Sequence, residues 1–355
     1  KELIRKSGSI GGLDGNFFAY TTVKSKNSIR NTIFSDQYLS FYMTSSVHRI
    51  KNLFRKIDYV PYSIRNNKVF KNESAYVRNI ATLYDLLRFN INGDIELKEL
   101  IVKNMANIYP FIEKSLSLNA LQRTDKSLPG YSAVAFYLLC FLCISPDKGE
   151  FVDRMKRFLF ENIENMEREF ELPECLIALC YVASGAEKKV LYRKLKELLA
   201  ENQMKEDRIK KIKQKEIFDS PSDYKFIRGT IFQKKWIAKY IYTLYRTIGL
   251  PDNFFQEKWI SNLKKEMILF KTYFENQSME TNEIAVCFEG LCSLLYLEPS
   301  DNTAFDQVWN LFLQLNSRMK NFLFYFIQDQ TFRIDITGHV LNGIYVLILM
   351  NQKKL

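Results

Sequence analysis

Ala133-Val134-Ala135-Phe136-Tyr137-Leu138-Leu139-Cys140-Phe141-Leu142-Cys143-Ile144 is twelve residues long and carries no charge. A helix of that content has no face to give to water and must be covered nearly all round. The stretch before it is of another kind. Across 95–117, Leu97, Leu100, Ile101, Met105, Ile108, Phe111 and Ile112 fall on one stripe, with Lys98, Glu99, Lys103 and Glu113 outside it. That is a helix with one face in water. Pro110 is expected to kink it or end it early.

The same succession recurs along the chain. Apolar stretches run into short polar turns at Asn92-Gly93-Asp94, Ser145-Pro146-Asp147, Ser184-Gly185, Gly249-Leu250-Pro251-Asp252 and Glu298-Pro299-Ser300-Asp301, and a sixth apolar stretch, Ile336 to Met350, closes it. The periodicity predicts twelve helices in six pairs: 36–56 with 74–91, 95–117 with 130–144, 149–169 with 171–183, 186–203 with 231–248, 253–276 with 280–297, and 303–325 with 336–351. The second member of each pair is the more apolar, as in an outer ring of helices around an inner one. The predicted fold is all-α, an (α/α)6 toroid forming one domain over 31–355. An open solenoid of helix pairs is its structural competitor, but six is the number of pairs that closes a toroid. Residues 1–30 are expected to form an extended or β-hairpin lead-in, since Gly8, Gly11, Gly12 and Gly15 punctuate them and 16–23 is β-prone. Asp94 and Thr303 stand where N-caps are wanted.

Composition narrows the function classes. Apolar residues make up 47% and aromatics 14%, enough for a large core, while 13 Gly and 8 Pro fall mainly between the periodic segments. The net charge of +11 attracts anions such as nucleic acid, acidic headgroups or an acidic glycan. The basic residues are spread out, however. The densest run, Lys205 to Lys215, is interrupted by Glu206 and Asp207 and reads as a solvated helix extension or loop, so no nucleic-acid partner is expected. The six cysteines lie inside apolar stretches and read as buried free thiols, which suits a reducing, cytoplasmic compartment. Cys140-x-x-Cys143 lacks a second ligand pair, so neither a metal nor another cofactor is expected. No run of eighteen apolar residues is present, and Val340 to Met350 is too short for a membrane span. The chain opens on Lys1, which leaves room for a removed leader. Nothing in the sequence fixes the oligomeric state.

In a closed ring the inner helices run parallel and their N-terminal ends share one mouth, where unsatisfied N–H groups gather. Polar residues at those starts should converge: Tyr76 and Arg78; Tyr131 and Ser132; Glu174; Lys235 and Trp236; Glu280, Asn282 and Glu283; Arg333, Asp335 and His339. Aromatics for sugar rings and charged groups for hydroxyls suit a carbohydrate site.

Several segments resemble bacterial (α/α)6 toroid proteins related to the N-acylglucosamine 2-epimerase-like and glucuronyl C5-epimerase-like families. Leu13-Asp-Gly-Asn-Phe-Phe-Ala-Tyr20 resembles their lead-in. Tyr76-Val-Arg-Asn-Ile-Ala-Thr-Leu-Tyr84 resembles their first inner helix, with Asn79 and Ala81 where His and Gly are usual. Leu128-Pro-Gly-Tyr-Ser-Ala133 sits where a Gly-rich start is common. Pro173-Glu-Cys-Leu-Ile-Ala-Leu179 resembles a later helix start, Glu283 to Leu291 with Glu289-Gly290-Leu291 resembles one of their inner helices, and Arg333-Ile-Asp-Ile-Thr-Gly-His339 resembles the element that ends their barrel. The resemblance implies a sugar or uronate epimerase or isomerase.

The residues can be given roles within that reading. His339 lies one turn beyond Asp335, which could orient it as a general base. Glu174 and Glu283 open inner helices and are acid or base candidates, although the helix dipole alone also favours acids there. Arg78 and Arg333 could grip a substrate carboxylate, or serve flanking salt bridges. Tyr76, Tyr131 and Trp236 could stack on sugar, or be core aromatics. Glu289, nearly two turns deeper, reads as a core residue, and His48 as a surface one. A six-hairpin glycoside hydrolase using paired carboxylates is the first alternative. A non-catalytic glycan-binding or scaffold protein is the second, and the Asn79 departure points toward it.

Overall fold

The structure is a computed structural model that describes residues 35–352, apart from 67, 72–75, 91–92, 118–127, 146–148, 169, 215–220, 252–253, 255–258, 270–279 and 326–330. The expected lead-in over 1–30 lies outside these. Among the described residues the chain is mostly helical, with twelve helices and five short strands. It divides into two compact units. The first draws on Lys1–Asn72, Arg88–Leu100 and Met279–Leu355, the second on Glu73–Leu87 and Ile101–Ser278.

In the first unit, α1 (Asp36–Ile57), α10 (Thr281–Leu297), α11 (Asn302–Asn316) and α12 (Ile334–Gln352) pack together. β1 (Ser63–Arg65) lies between β2 (Lys68–Phe70) and β5 (Phe332–Arg333), antiparallel to both, with Ser63 opposite Phe70 on one side and Arg333 on the other. β3 (Met319–Lys320) and β4 (Leu323–Phe324) form a hairpin closed by Asn321 and Phe322, at φ 52° and 62°. Two consecutive left-handed residues match the right-handed twist of a hairpin, but a phenylalanine is an uncommon occupant. Phe322 is held there by edge contacts with Phe41 and Tyr42, and its carbonyl accepts from Ser46 Oγ at 3.0 Å. The 303–325 helix expected from periodicity therefore stops at Asn316 and gives way to this hairpin.

The core of the first unit is the α10–α12 pair. Both helices are buried nearly all round, and they run parallel. Their N-terminal ends meet through Thr281 Oγ1, which donates to the Tyr325 carbonyl at 2.8 Å, and Tyr325 in turn bridges Phe332 next to Arg333. Further along, a Cβ added to Gly343 would stand 2.5 Å from Phe288 Cε1 and 3.4 Å from Cys292 Sγ, so the glycine lets the two backbones approach. α12 is the one described helix long and apolar enough to cross a bilayer, and 72% of its most apolar window is buried inside the fold, as in a core helix. α12 also packs on α1, and Arg88, at the end of α2 (Tyr76–Phe89), donates to Asn342 Oδ1 at 2.7 Å and covers the Tyr345 ring.

In the second unit, α4 (Tyr131–Ile144), α6 (Glu171–Leu179) and α8 (Pro221–Thr247) lie side by side in that order. α5 (Glu150–Glu161) covers α4 and α6, while α7 (Ala186–Gln214) and α9 (Trp259–Leu269) lie on α8. The all-round apolar stretch that opened the sequence reading is α4, and all nine residues from Ser132 to Cys140 are buried. Cys143, expected to be buried, is exposed near its end, while the other five thiols are buried. Pro110 lies inside α3 (Ile95–Ser117) without ending it.

α7 and α8 are both longer than the apolar pattern indicates. The basic run is the end of α7, a helix extension as read, yet it is not merely solvated. Glu206 is buried in an ion pair with Lys234, Lys205 Nζ reaches Gln233 Oε1 at 3.0 Å, and Arg208 covers the Phe226 ring. Of the two expected N-caps, Asp94 is one and Thr303 is not. Asp94 Oδ1 accepts from Leu97 N at 3.0 Å. The cap of α11 is Asp301, whose Oδ1 accepts from Ala304 N at 2.9 Å, and not Thr303, which lies within the helix.

Candidate functional site

The parallel ends of α10 and α12 gather the polar residues of the first unit. Glu280 and Glu283 form a capping box: the Glu283 carboxylate accepts from Glu280 N at 2.9 Å, and the Glu280 side chain accepts from the third helical N–H. Glu283 is fully buried. Its carboxylate thus satisfies an orphan amide at a helix start and also faces Arg318, whose guanidinium pKa burial lowers while Tyr325 and Glu283 raise it. Arg333 holds Asp335 through two hydrogen bonds, one from Nε at 2.8 Å, and its guanidinium lies over the Tyr62 ring at 4.9 Å. In the first turn of its own helix Asp335 also accepts from Ile336 N at 3.1 Å.

One turn deeper, His339 Nδ1 lies 2.8 Å from Glu289 Oε2. The Glu289 side chain is 1% exposed and that of His339 22%. Asp335, the partner expected from i,i+4 spacing, is engaged by Arg333, and the buried carboxylate on Nδ1 comes from the neighbouring helix α10. A carboxylate on Nδ1 fixes the tautomer and turns Nε2 into the proton acceptor. Glu289 was read from sequence as a core residue. The signal that could have assigned it otherwise is a lone carboxylate inside the apolar run from Ile284 to Leu297, which must find a partner once buried.

The second unit brings other candidates together. Glu174, in the first turn of α6, is buried, and burial pushes its pKa up to about 7 against the pull of the Ser132 hydroxyl and the Lys235 and Lys239 ammonium groups; Glu171 adds to the rise. Ser132 stands at the start of α4. Lys235 and Lys239 belong to the middle of α8 and flank Trp236, with Nζ atoms 3.2 and 5.1 Å from its ring centroid. Phe136 approaches the same indole, centroids 6.3 Å apart. Trp236 is thus a buried ring next to two cations. Tyr131 donates to Asn162 Oδ1 at 3.2 Å and packs against Phe158.

Two further candidates sit on α2. Tyr76 packs on Phe111, and burial raises its phenol pKa. Arg78 is exposed, whereas Asn79, in the position where the resemblance has histidine, is buried. His48 is exposed on α1, as expected.

Two clusters result. Glu283, Glu289, Arg318, Arg333, Asp335 and His339 belong to the first unit, and Ser132, Glu174, Lys235, Trp236 and Lys239 to the second. Arg318 and Lys239 were not singled out from sequence, and Glu289 was read there as a core residue rather than a site residue. Among the described residues no group of three His, Cys, Asp or Glu side chains is placed to hold a metal ion. No family model matches this chain, and no curated protein matches it.

Proposed function

We propose that this protein is an isomerase of the proton-transfer kind, acting on a sugar or uronate unit with His339 as the base. The observation that carries the reading is the contact between His339 Nδ1 and the buried Glu289 carboxylate. A buried anion on one ring nitrogen orients the imidazole and stabilises the imidazolium formed when the other nitrogen takes a proton. The partial exposure of His339 gives a substrate access to the ring. Arg333, Asp335 and Tyr62 at the start of the same helix offer the charged and aromatic groups that hydroxyls and sugar rings use. Arg318, held near Glu283, is a cation for a developing enolate or a substrate carboxylate. The partner proposed is therefore a sugar or an acidic glycan, and the fold proposed is the (α/α)6 toroid. The packing of the last helix on the first and the parallel α10–α12 ends support that fold.

The hydrolase alternative retains one strong residue. Glu283 is committed to a helix cap and Asp335 to Arg333, but Glu174, with its raised pKa, has the character of a general acid. Incubating the protein in deuterium oxide with aldoses, N-acylhexosamines, uronates and uronate oligosaccharides separates the readings. Deuterium at a sugar carbon without chain cleavage supports the isomerase, with the label lost in His339→Gln. Reducing ends released without carbon-bound label would replace it with hydrolysis.

A further inference from the structure

The three-stranded sheet of the first unit has two unlike faces, and its register fixes which residues belong to each. Residues paired across antiparallel strands share a face, and successive residues of one strand alternate. Ile64, Val69 and Phe332 therefore share one face. Ile64 is buried there, and Phe332 meets Tyr325 with ring centroids 5.6 Å apart. Phe70, Ser63 and Arg333 form a row across the other face, with Lys68 and Arg65 as a second row beside it. Phe70 is 46% exposed, and Arg65 and Lys68 are exposed too. Among the described residues no side-chain hydrogen bond or ion pair engages either of these two cations.

Edge strands often carry a lysine that repels other edges. That accounts for Lys68 on the edge strand β2. It does not account for Arg65 on the central strand β1, nor for an exposed phenylalanine, which invites association. An aromatic ring beside cations suits a partner that alternates apolar C–H faces with anionic groups, as an acidic glycan chain does. Its sugar faces stack on Phe70 and its carboxylates pair with Arg65 and Lys68. A bilayer surface asks for several exposed apolar side chains together, and single-stranded nucleic acid for a series of stacking rings. Phe70 is the one aromatic residue in the two rows. The face also leads toward the proposed base. Strands lie about 4.8 Å apart, so Arg333 stands about 10 Å from Phe70 across β1. Arg333 holds Asp335, and Asp335 lies one turn before His339 on α12.

We propose that this face is a binding platform for an acidic glycan chain, with Phe70, Arg65 and Lys68 holding units next to the one presented to His339. The substrate of the isomerase reading, on which this inference rests, is then a uronate within a chain and not a free sugar.

Calorimetric titration tests the platform without turnover. The probes are hyaluronate, polygalacturonate and alginate as uronate chains, dextran as a neutral chain, and polyuridylate and phosphatidylglycerol vesicles as other polyanions. A uronate chain should bind and dextran should not. Arg65→Gln with Lys68→Gln should weaken that binding about tenfold, and Phe70→Ser added to them should weaken it further. With the natural chain, affinity for oligomers of the bound polymer should rise from monomer to tetramer and fall with added salt. Unchanged affinity in the triple variant, equal binding of dextran, or no gain with length would overturn the proposal. Preference for polyuridylate or vesicles over every uronate chain would overturn it as well. If the triple variant fails to fold, the length series on the natural chain decides. Deuterium exchange keeps the two readings apart. Label in a free uronate, with no chain bound, removes the platform and leaves the isomerase. A chain bound through Phe70, Arg65 and Lys68, with no label in any sugar, leaves the platform and removes the isomerase.

Discussion

Glu289 is the residue on which the chemistry of His339 turns. Glu289→Gln keeps the size and one acceptor oxygen but removes the charge that stabilises a protonated imidazole. If His339 is the base, kcat should fall about 100- to 10,000-fold with little change in KM, because the loss is felt when the proton moves. His339→Gln should be as damaging, and the double variant no worse than the more severe single one, since the pair acts as a unit. Steady-state kinetics on the substrate found by deuterium exchange checks this, and additive losses would mean that the two side chains act separately. The histidine was legible in the sequence because only two are present and one opens an apolar helix. Its partner was not. Spacing along one helix selects Asp335, whereas the carboxylate that reaches Nδ1 comes from the neighbouring helix, and only packing reveals it.

At the scale of elements, Gly343 sets how closely α10 and α12 approach. A Cβ there would fall 2.5 and 2.7 Å from the Phe288 ring, inside any permitted contact. Gly343→Ala should therefore destabilise the protein by about 1–3 kcal/mol despite the better helix propensity of alanine. Phe288→Leu in the same chain should recover part of the loss, and denaturant unfolding of the single and double variants measures both. At the start of α11, Asp301→Ala should cost about 1 kcal/mol, while Thr303→Ala should cost little, because Asp301 makes the cap. A larger loss in the threonine variant would contradict that assignment. Periodicity located all twelve helices because each all-round apolar stretch is separated from its neighbours by polar turns. It failed where apolar content and helix part company. Met319 to Phe324 is apolar enough to extend α11, yet forms a hairpin whose turn lacks the usual Asn-Gly pair. α7 continues through a basic run because Glu206 finds Lys234, a contact that no window of sequence displays. The parallel ends expected of inner helices are seen for α10 and α12, but which side chains at those ends are committed to caps and which remain for chemistry depends on contacts between helices.

For the whole molecule, stability against pH sums many groups, and most of the carboxylates with a shifted pKa push one way. Asp94, Glu96, Glu113 and Glu164 have pKa values lowered chiefly by hydrogen bonds from Lys51, Arg55, Arg154 and Lys194. Their contribution is present above their unfolded values and is lost as pH falls through the folded ones. The net charge of +11 also grows more positive as carboxylates protonate, adding self-repulsion on the acid side. Glu174 works in the opposite sense. Its folded pKa of about 7 stands above the ordinary 4.5, so the folded chain holds a proton that the unfolded chain has released. Its contribution is fully present below 4.5 and declines as pH rises through the window up to about 7. Glu174→Gln imitates the protonated form at every pH. Relative to the natural protein, the variant should therefore gain stability as pH rises from 5 to 8, by an amount on the order of a few kcal/mol, and level off above that. Urea unfolding of both proteins at half-unit intervals gives the difference curve, in which the lowered carboxylates cancel. A flat difference would show that Glu174 is ionised throughout, with Lys235 and Lys239 outweighing its burial.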